Sequence, residues 1–316
     1  MADISTQELA SAFGISPQRL SIIAKQIDLQ PTESTVKGRT RFYDRNAVRK
    51  ILALRGVNYP RNKIICVANN KGGVGKTSIA TFLAKRLVAM GFDTLLVDTD
   101  PQANSTSYFM GDKPYDKVLL DCISNGTAVE DVVKEVEPGL SILPSSLRNS
   151  RLEIELLHAK QNSGTFFKKL LQKQNVNYII MDLSPSFSTI NFMAMVAADM
   201  ILIPTILTKF SIEGVQMTLD TINDMREIYP DAKAEIKCVI NQIDVRVSSQ
   251  LAYISALHEL GVPMFTTTLR SDVAVNKNQG GILRDLSSKS GFYEDICKFT
   301  NEVVGIQSTD SKELNN

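Results

Sequence analysis

The residues best placed to do chemistry form one run, Asn69-Asn70-Lys71-Gly72-Gly73-Val74-Gly75-Lys76-Thr77-Ser78. A β-branched apolar stretch precedes it and a helical pattern begins inside it, the setting a phosphate-binding loop needs. The glycines let backbone N–H groups turn inward around phosphate oxygens, and the helix N-terminus adds its positive end. Lys76 then faces the β- and γ-phosphates as a point charge, and the Thr77 hydroxyl is a ligand for Mg²⁺. The expected nucleotide contacts here are Gly72, Gly73, Val74, Gly75, Lys76, Thr77 and Ser78. A tight strand-to-helix turn is the competing reading, and the complete motif in this context argues against it.

Acidic groups follow at two strand ends. Leu95-Leu96-Val97-Asp98-Thr99-Asp100-Pro101-Gln102 places two carboxylates two residues apart, so both point the same way. Tyr178-Ile179-Ile180-Met181-Asp182 is a buried strand ending in aspartate, the Walker B form, in which Asp182 holds Mg²⁺ through water. Asn241-Gln242-Ile243-Asp244 ends a late strand and nearly spells the Asn-Lys-x-Asp guanine motif, with glutamine in place of lysine. Asn241 is either a base contact or a simple turn residue.

The elements that must position these groups are strands and helices in alternation. Unbroken apolar runs predict strands at 64–68, 94–97, 140–143, 178–181, 200–203 and 236–240, with a shorter one near 264–268. Helical periodicity falls at 76–90, 151–159, 165–174, 212–228 and 249–260. The expected fold class is α/β, a doubly wound, mostly parallel sheet. Before it, Ser5 or Thr6 caps a helix running to Phe13, with Glu8 at the capping-box position. Ser16 caps a second helix with Pro17 at its first position, and Asp44 caps a third. Between the last two lies the basic turn Lys37-Gly38-Arg39-Thr40-Arg41. The expected division is a small helical domain over 1–57, a linker over 58–63, a phosphate-loop domain over 64–306 and a disordered tail over 307–316.

Bulk properties narrow the classes. The 316 residues are 43% hydrophobic and 22% charged, enough for two unequal domains, and the net charge is only +1. Residues 1–60 nevertheless carry nine Lys/Arg against five Asp/Glu, so any nucleic-acid footprint is local to that segment. Four widely spaced cysteines and two histidines offer no metal-ligand or redox spacing. No apolar run reaches the roughly 20 residues of a membrane span, and residues 1–10 do not read as a secretory signal. The expected location is the cytoplasm.

The run Lys71-Gly72-Gly73-Val74-Gly75-Lys76-Thr77 resembles the deviant Walker A signature of the ParA/MinD superfamily. The similarity covers about residues 63–305 and extends through Leu143-Pro144-Ser145, Phe210-Ser211-Ile212-Glu213-Gly214 and Leu269-Arg270-Ser271-Asp272. It is to ParA-type partition ATPases, SopA-like, more than to the cell-division or iron-protein branches. The resemblance implies Mg-dependent hydrolysis of ATP, in preference to GTP, and adds association with the nucleoid. It also implies a sandwich homodimer in which Lys71 reaches the partner subunit's phosphates. Asp100 would orient the attacking water and Asp98 would contact the metal shell, leaving Lys71, Lys76 and Asp100 as the catalytic set. The family usually has two prolines after the Walker B aspartate; here Leu183-Ser184-Pro185 keeps only the second.

Residues Glu8-Leu9-Ala10, Gly14-Ile15-Ser16 and Arg39-Thr40-Arg41-Phe42-Tyr43 are similar to a MerR-type winged helix-turn-helix. That resemblance implies operator binding and autoregulation, with Arg19 at base edges and Lys37, Arg39 and Arg41 on phosphates. A dimerisation or partner-docking domain is the alternative. Arg270, Lys277, Arg284 and Lys289 are candidates for sequence-independent DNA contact by the ATP-bound dimer, with Lys277 preferred. The expected partner is a ParB-like centromere-binding protein. A MinD-like membrane-surface ATPase is the rival function. It needs a basic amphipathic helix, and the segment 292–304 carries Glu294, Asp295 and Glu302 against Lys298.

Overall fold

The strand and helix signals assemble into one seven-stranded sheet with helices on both faces and a separate two-stranded ribbon near the N-terminus. The computed structural model describes residues 4–13, 15–29, 31, 41–54, 56–111, 113–159, 165–186, 188–243, 250–272 and 290–306. Its N-terminal part holds β1 (Ile4–Ser5), α1 (Thr6–Ala12), α2 (Pro17–Gln26), β2 (Phe42–Tyr43) and α3 (Arg45–Leu54). Then follow β3 (Lys63–Val67), α4 (Lys76–Ala89), β4 (Thr94–Asp98), α5 (Asn104–Met110), α6 (Leu119–Ser124) and α7 (Val129–Val132). Next are β5 (Lys134–Glu137), β6 (Leu140–Leu143), α8 (Leu152–Ala159), α9 (Phe166–Leu171), β7 (Tyr178–Asp182) and α10 (Thr189–Ala197). The described chain ends with β8 (Met200–Thr205), α11 (Lys209–Ile228), β9 (Glu235–Ile240), α12 (Gln250–Glu259) and α13 (Gly291–Val303).

The seven strands lie in the order β5-β6-β4-β7-β3-β8-β9, all pairs parallel except β5 with β6. Alternate residues of each strand bury on opposite faces. Ile64, Cys66, Val97, Ile179 and Met181 join one core with α6 and α8 to α12, and Ile65, Val67, Leu96 and Ile180 join the other with α4 and α13. This is why the strands read as continuous apolar runs. The crossover from β3 through α4 passes over β7 to reach β4, while β8 lies on the other side of β3. That reversal opens a crevice at the C-terminal ends of the central strands, the place where such sheets bind ligands.

Some elements depart from expectation. The 264–268 segment makes only an isolated bridge, Cys238 with Met264. The antiparallel edge β5 went unpredicted because Lys134-Glu135-Val136-Glu137 lacks an apolar run. α10 went unpredicted because Thr189–Ala197 is apolar nearly all round, buried between neighbours rather than amphipathic.

At the N-terminus the expected caps are present. Ser5 and Glu8 form a capping box on α1, Ser16 caps α2 ahead of Pro17, and Asp44 Oδ1 accepts from Ala47 N at 2.8 Å. This part is built against the body of the protein. Ile4, Leu9, Leu20 and Ile51 belong to the same apolar core as α4 and α13. Arg45 pairs with Asp93 at 2.6 Å, and Tyr293 donates to Glu8 at 2.7 Å. Tyr59, in the expected linker, lies 4.7 Å from the Phe92 ring.

Candidate functional site

The expected phosphate loop sits between β3 and α4, and the hydrogen bonds around it explain its shape. Asn69 Oδ1 accepts from Lys71 N at 2.8 Å while Asn69 Nδ2 donates to Pro204 O at 2.8 Å, tying the loop's entry to β8. Asn241 Nδ2 donates to Val74 O at 2.9 Å, and Gln242 Nε2 to Gly73 O at 3.3 Å, tying its far side to the end of β9. Gly75 has φ of +94° and caps α4; a Cβ there would collide with Asn241 Nδ2, so only glycine fits. Gly214 on α11 allows a similar approach, since a Cβ there would come 3.2 Å from Lys71 Cβ. Ser78 lies half-buried in the first turn of α4.

The two lysines of the loop have opposite surroundings. Lys76 is buried, and its ammonium donates to Lys71 O at 2.9 Å. Burial pushes its pKa below the ordinary value, opposed by the nearby Asp182 and Asp100 carboxylates. Lys71 is exposed at the rim, its ammonium 5.6 Å from the centre of the Phe210 ring.

The three expected aspartates meet at the same edge. Asp98 and Asp182 are register partners on β4 and β7, and Val67, just ahead of the loop, is the partner of Asp182 on β3. Asp182 has Oδ2 on the Ser105 hydroxyl at 2.6 Å, whereas its Oδ1 is buried without a hydrogen bond. Burial pushes its pKa up to about 6; the Ser105 and Thr77 hydroxyls and Lys76 pull it down, and Asp100 pushes it up. Asp98 is held well above the usual carboxylate range by burial and by Asp182, against the pull of its Thr106 hydrogen bonds.

Two of the expected site residues are engaged in hydrogen bonds within the chain. Asp98 Oδ1 accepts from Asp100 N at 3.1 Å, and its Oδ2 accepts from Thr106 N and Oγ1 at 2.9 and 2.7 Å. Both oxygens therefore help to fix the loop that carries Asp100. Arg270 bonds Asp295 at 2.8 and 2.7 Å, Glu294 at 3.0 Å and Gly291 O at 3.0 Å. Its guanidinium thus ties α13 to the segment after β9. Arg19 and Arg41 are exposed, the first on α2 and the second beside β2. Lys37, Arg39, Lys277, Arg284 and Lys289 lie outside the described residues. Sequence reasoning quoted Asn69 and Ser145 without giving them a role and did not single out Ser105 or Thr106, because small polar residues in loops leave no periodic signal.

Asp182 supplies a test of this electrostatic picture. Its raised pKa means the unfolded carboxyl ionises first, so stability is lost as pH climbs from about 4 through about 6. Asp182→Asn is expected to raise the thermal midpoint without nucleotide or Mg²⁺ by several degrees at pH 7.5, reflecting about 3 kcal/mol. The gain should vanish below about pH 4. A midpoint difference independent of pH would contradict it.

Comparison with known proteins agrees with this geometry. The AAA domain family, AAA_31, matches residues 62–237. An uncharacterized protein of Methanocaldococcus jannaschii is 35% identical over 55% of this chain and 70% of its own length. The sporulation initiation inhibitor protein Soj of Bacillus subtilis is 34% identical over 51% of this chain. The chromosome partitioning protein ParA of Caulobacter vibrioides is 34% identical over 52% of it. The chain spans just under two thirds of these last two, 64% and 63%. Among solved structures, McdA of Cyanothece in complex with ATP is 22% identical with a TM-score of 0.68, covering 78% of this chain and 98% of that one. Cobyrinic acid a,c-diamide synthase of Mycobacterium smegmatis, with ADP and magnesium, is 20% identical with a TM-score of 0.66, covering 77% and 94%. At that identity the two structures speak for the fold alone. With more than half of its length matched, the chain belongs to the AAA domain family.

Proposed function

We propose that this chain is a DNA-segregation ATPase of the ParA type, working as an ATP-dependent homodimer. One observation carries the reading: of the two lysines in one phosphate loop, Lys76 is buried beside Asp100 and Asp182, and Lys71 is exposed at the rim. A single subunit needs only the first. The second suits a partner copy's phosphates, brought edge to edge. Exposed Phe210 on α11, beside the Lys71 ammonium, suits burial against another copy.

In the proposed mechanism, backbone N–H groups of residues 72–77 and the Lys76 ammonium bind the triphosphate. Thr77 and Asp182 would hold Mg²⁺, which neutralises phosphate charge when bound; the buried, unpartnered Oδ1 of Asp182 fits that role. Asp100, its Oδ1 already bonded to Gln102 N at 2.9 Å, directs the attacking water with the rest of its carboxylate. Asn241 Oδ1 is likewise buried without a partner. It is an acceptor left over for a ligand donor, and the family resemblance favours ATP over GTP. The names Soj and ParA among the relatives support a role in segregation. The partner that stimulates hydrolysis would be a ParB-like centromere-binding protein.

The N-terminal part would bind an operator. α2 exposes Gln18, Arg19, Lys25 and Gln26 and carries no acidic residue, the face expected of a major-groove helix. Electrophoretic or anisotropy assays with a random fragment and with the gene's own upstream DNA test both modes. Binding to the random fragment should need ATP, and specific binding should depend on residues 1–57. Arg39→Ala with Arg41→Ala should weaken operator binding and flatten the slope of log K against log salt by about 2, for two lost phosphate contacts. An unchanged slope would favour a docking role for this domain.

A further inference from the structure

The loops after β4 and β6 are joined by a chain of buried hydrogen bonds that ends on the backbone of Asp100. Val97 and Leu143 are register partners, so the two strands deliver their following loops side by side. Ser145 Oγ donates to Asp100 O at 2.6 Å and accepts from Asn149 Nδ2 at 2.7 Å. Asn149 Oδ1 in turn accepts from Leu120 N at 3.2 Å, which fixes the amide's orientation. Ser145 N donates to Thr106 Oγ1 at 2.9 Å, and that hydroxyl donates to Asp98 Oδ2. Ser145, Thr106 and Asn149 are all at most 2% exposed.

We infer that Ser145, oriented by Asn149, is a positioning residue for Asp100. The inference rests on the reading that Asp100 directs the attacking water. Asp100 is gripped at its N–H by Asp98 and at its carbonyl by Ser145 and Ala103 N, so its Cα–Cβ direction has little freedom. The residue has turned out of β4, and Ala103 sits in the left-handed region at φ of +54°, so the loop has no regular ladder to hold it. Ser145 supplies the missing restraint from the neighbouring strand's loop. Its hydrogen bonds among the described residues go to Thr106, Asp100 and Asn149 and none to the phosphate loop, so ground-state binding of ATP should not depend on it. Reaction geometry should, because small misplacements of a directing group cost far more in rate than in affinity.

The test uses the full chain with Mg²⁺, measuring steady-state ATP hydrolysis and, separately, affinity for a non-hydrolysable ATP analogue. Ser145→Ala is expected to lower kcat about tenfold while KM and analogue affinity stay within about twofold. Asn149→Ala, which leaves the hydroxyl in place but unoriented, should lower kcat about threefold in the same selective way. The double variant should be no slower than Ser145→Ala alone, since both act through one hydrogen bond. Should Ser145→Ala fail to fold, the selective kcat loss in Asn149→Ala decides the matter. A kcat within twofold of wild type, or equal losses in kcat and analogue affinity, overturns the inference. Asp100→Ala, run beside them, separates the two levels. If it is slow and Ser145→Ala is not, only the positioning role falls; if it hydrolyses ATP normally, the water-directing reading falls with it.

Discussion

Lys76→Ala is expected to lower ATP affinity about 100- to 1,000-fold, the loss of charge-assisted contacts to two phosphates in a buried site. No neighbour can replace it. Lys71 is the nearest cation in sequence, but its side chain lies at the rim against Phe210. The fold should survive, because Ile79, Ala80, Leu83 and Leu87 anchor α4 through the apolar core independently of its first residue. Removing the ammonium also leaves Asp100 and Asp182 without their nearby cation, which should push the Asp182 carboxyl still higher. Calorimetric titration of ATP with Mg²⁺ into the folded variant is the check. Near-normal affinity would remove Lys76 from the phosphate site.

How much of this site was legible in the sequence depends on how local its determinants are. The phosphate loop was legible because its glycines, lysine and threonine are contiguous and lie between a strand and a helix. The capping box of Ser5 and Glu8 was legible for the same reason. The allocation of hydrogen bonds was not. Nothing in the spacing of Asp98 and Asp100 says that the first secures Thr106 and the second's own N–H. Arg270 looked like a free cation because its partner Asp295 is distant in sequence and meets it only once α13 packs. Likewise Glu8 satisfies its helix locally, yet it also accepts from Tyr293 at the other end of the described chain. The strands β3, β7 and β8 announced themselves through burial on both faces, whereas polar β5 could pair only once β6 was in place. Asn241 was read as a base contact or a turn residue; its amide holds the phosphate loop and its oxygen is left over for a ligand.

The second large effect concerns Lys71. Two triphosphates facing each other across a narrow interface repel strongly, and the repulsion grows as water leaves. A lysine from each subunit, laid on the other's phosphates, offsets it. The fixed backbone of Lys71, held through its N–H by Asn69 and through its carbonyl by Lys76, leaves only the side chain free to extend. Lys71→Ala should therefore leave ATP binding by the monomer largely intact. It should weaken ATP-dependent dimerisation at least about 100-fold, the range for removing one partner of a buried charge pair. Non-specific DNA binding and stimulated hydrolysis should fall together, since both need the dimer.

The most direct test is analytical ultracentrifugation with ATP and Mg²⁺ on wild type, Asp100→Ala and Lys71→Ala. Wild type and Asp100→Ala should sediment as dimers, the latter more persistently because it hydrolyses ATP slowly, and Lys71→Ala should remain monomeric. A Lys71→Ala protein that dimerises as readily as Asp100→Ala would contradict the cross-subunit role and leave Lys71 a rim lysine.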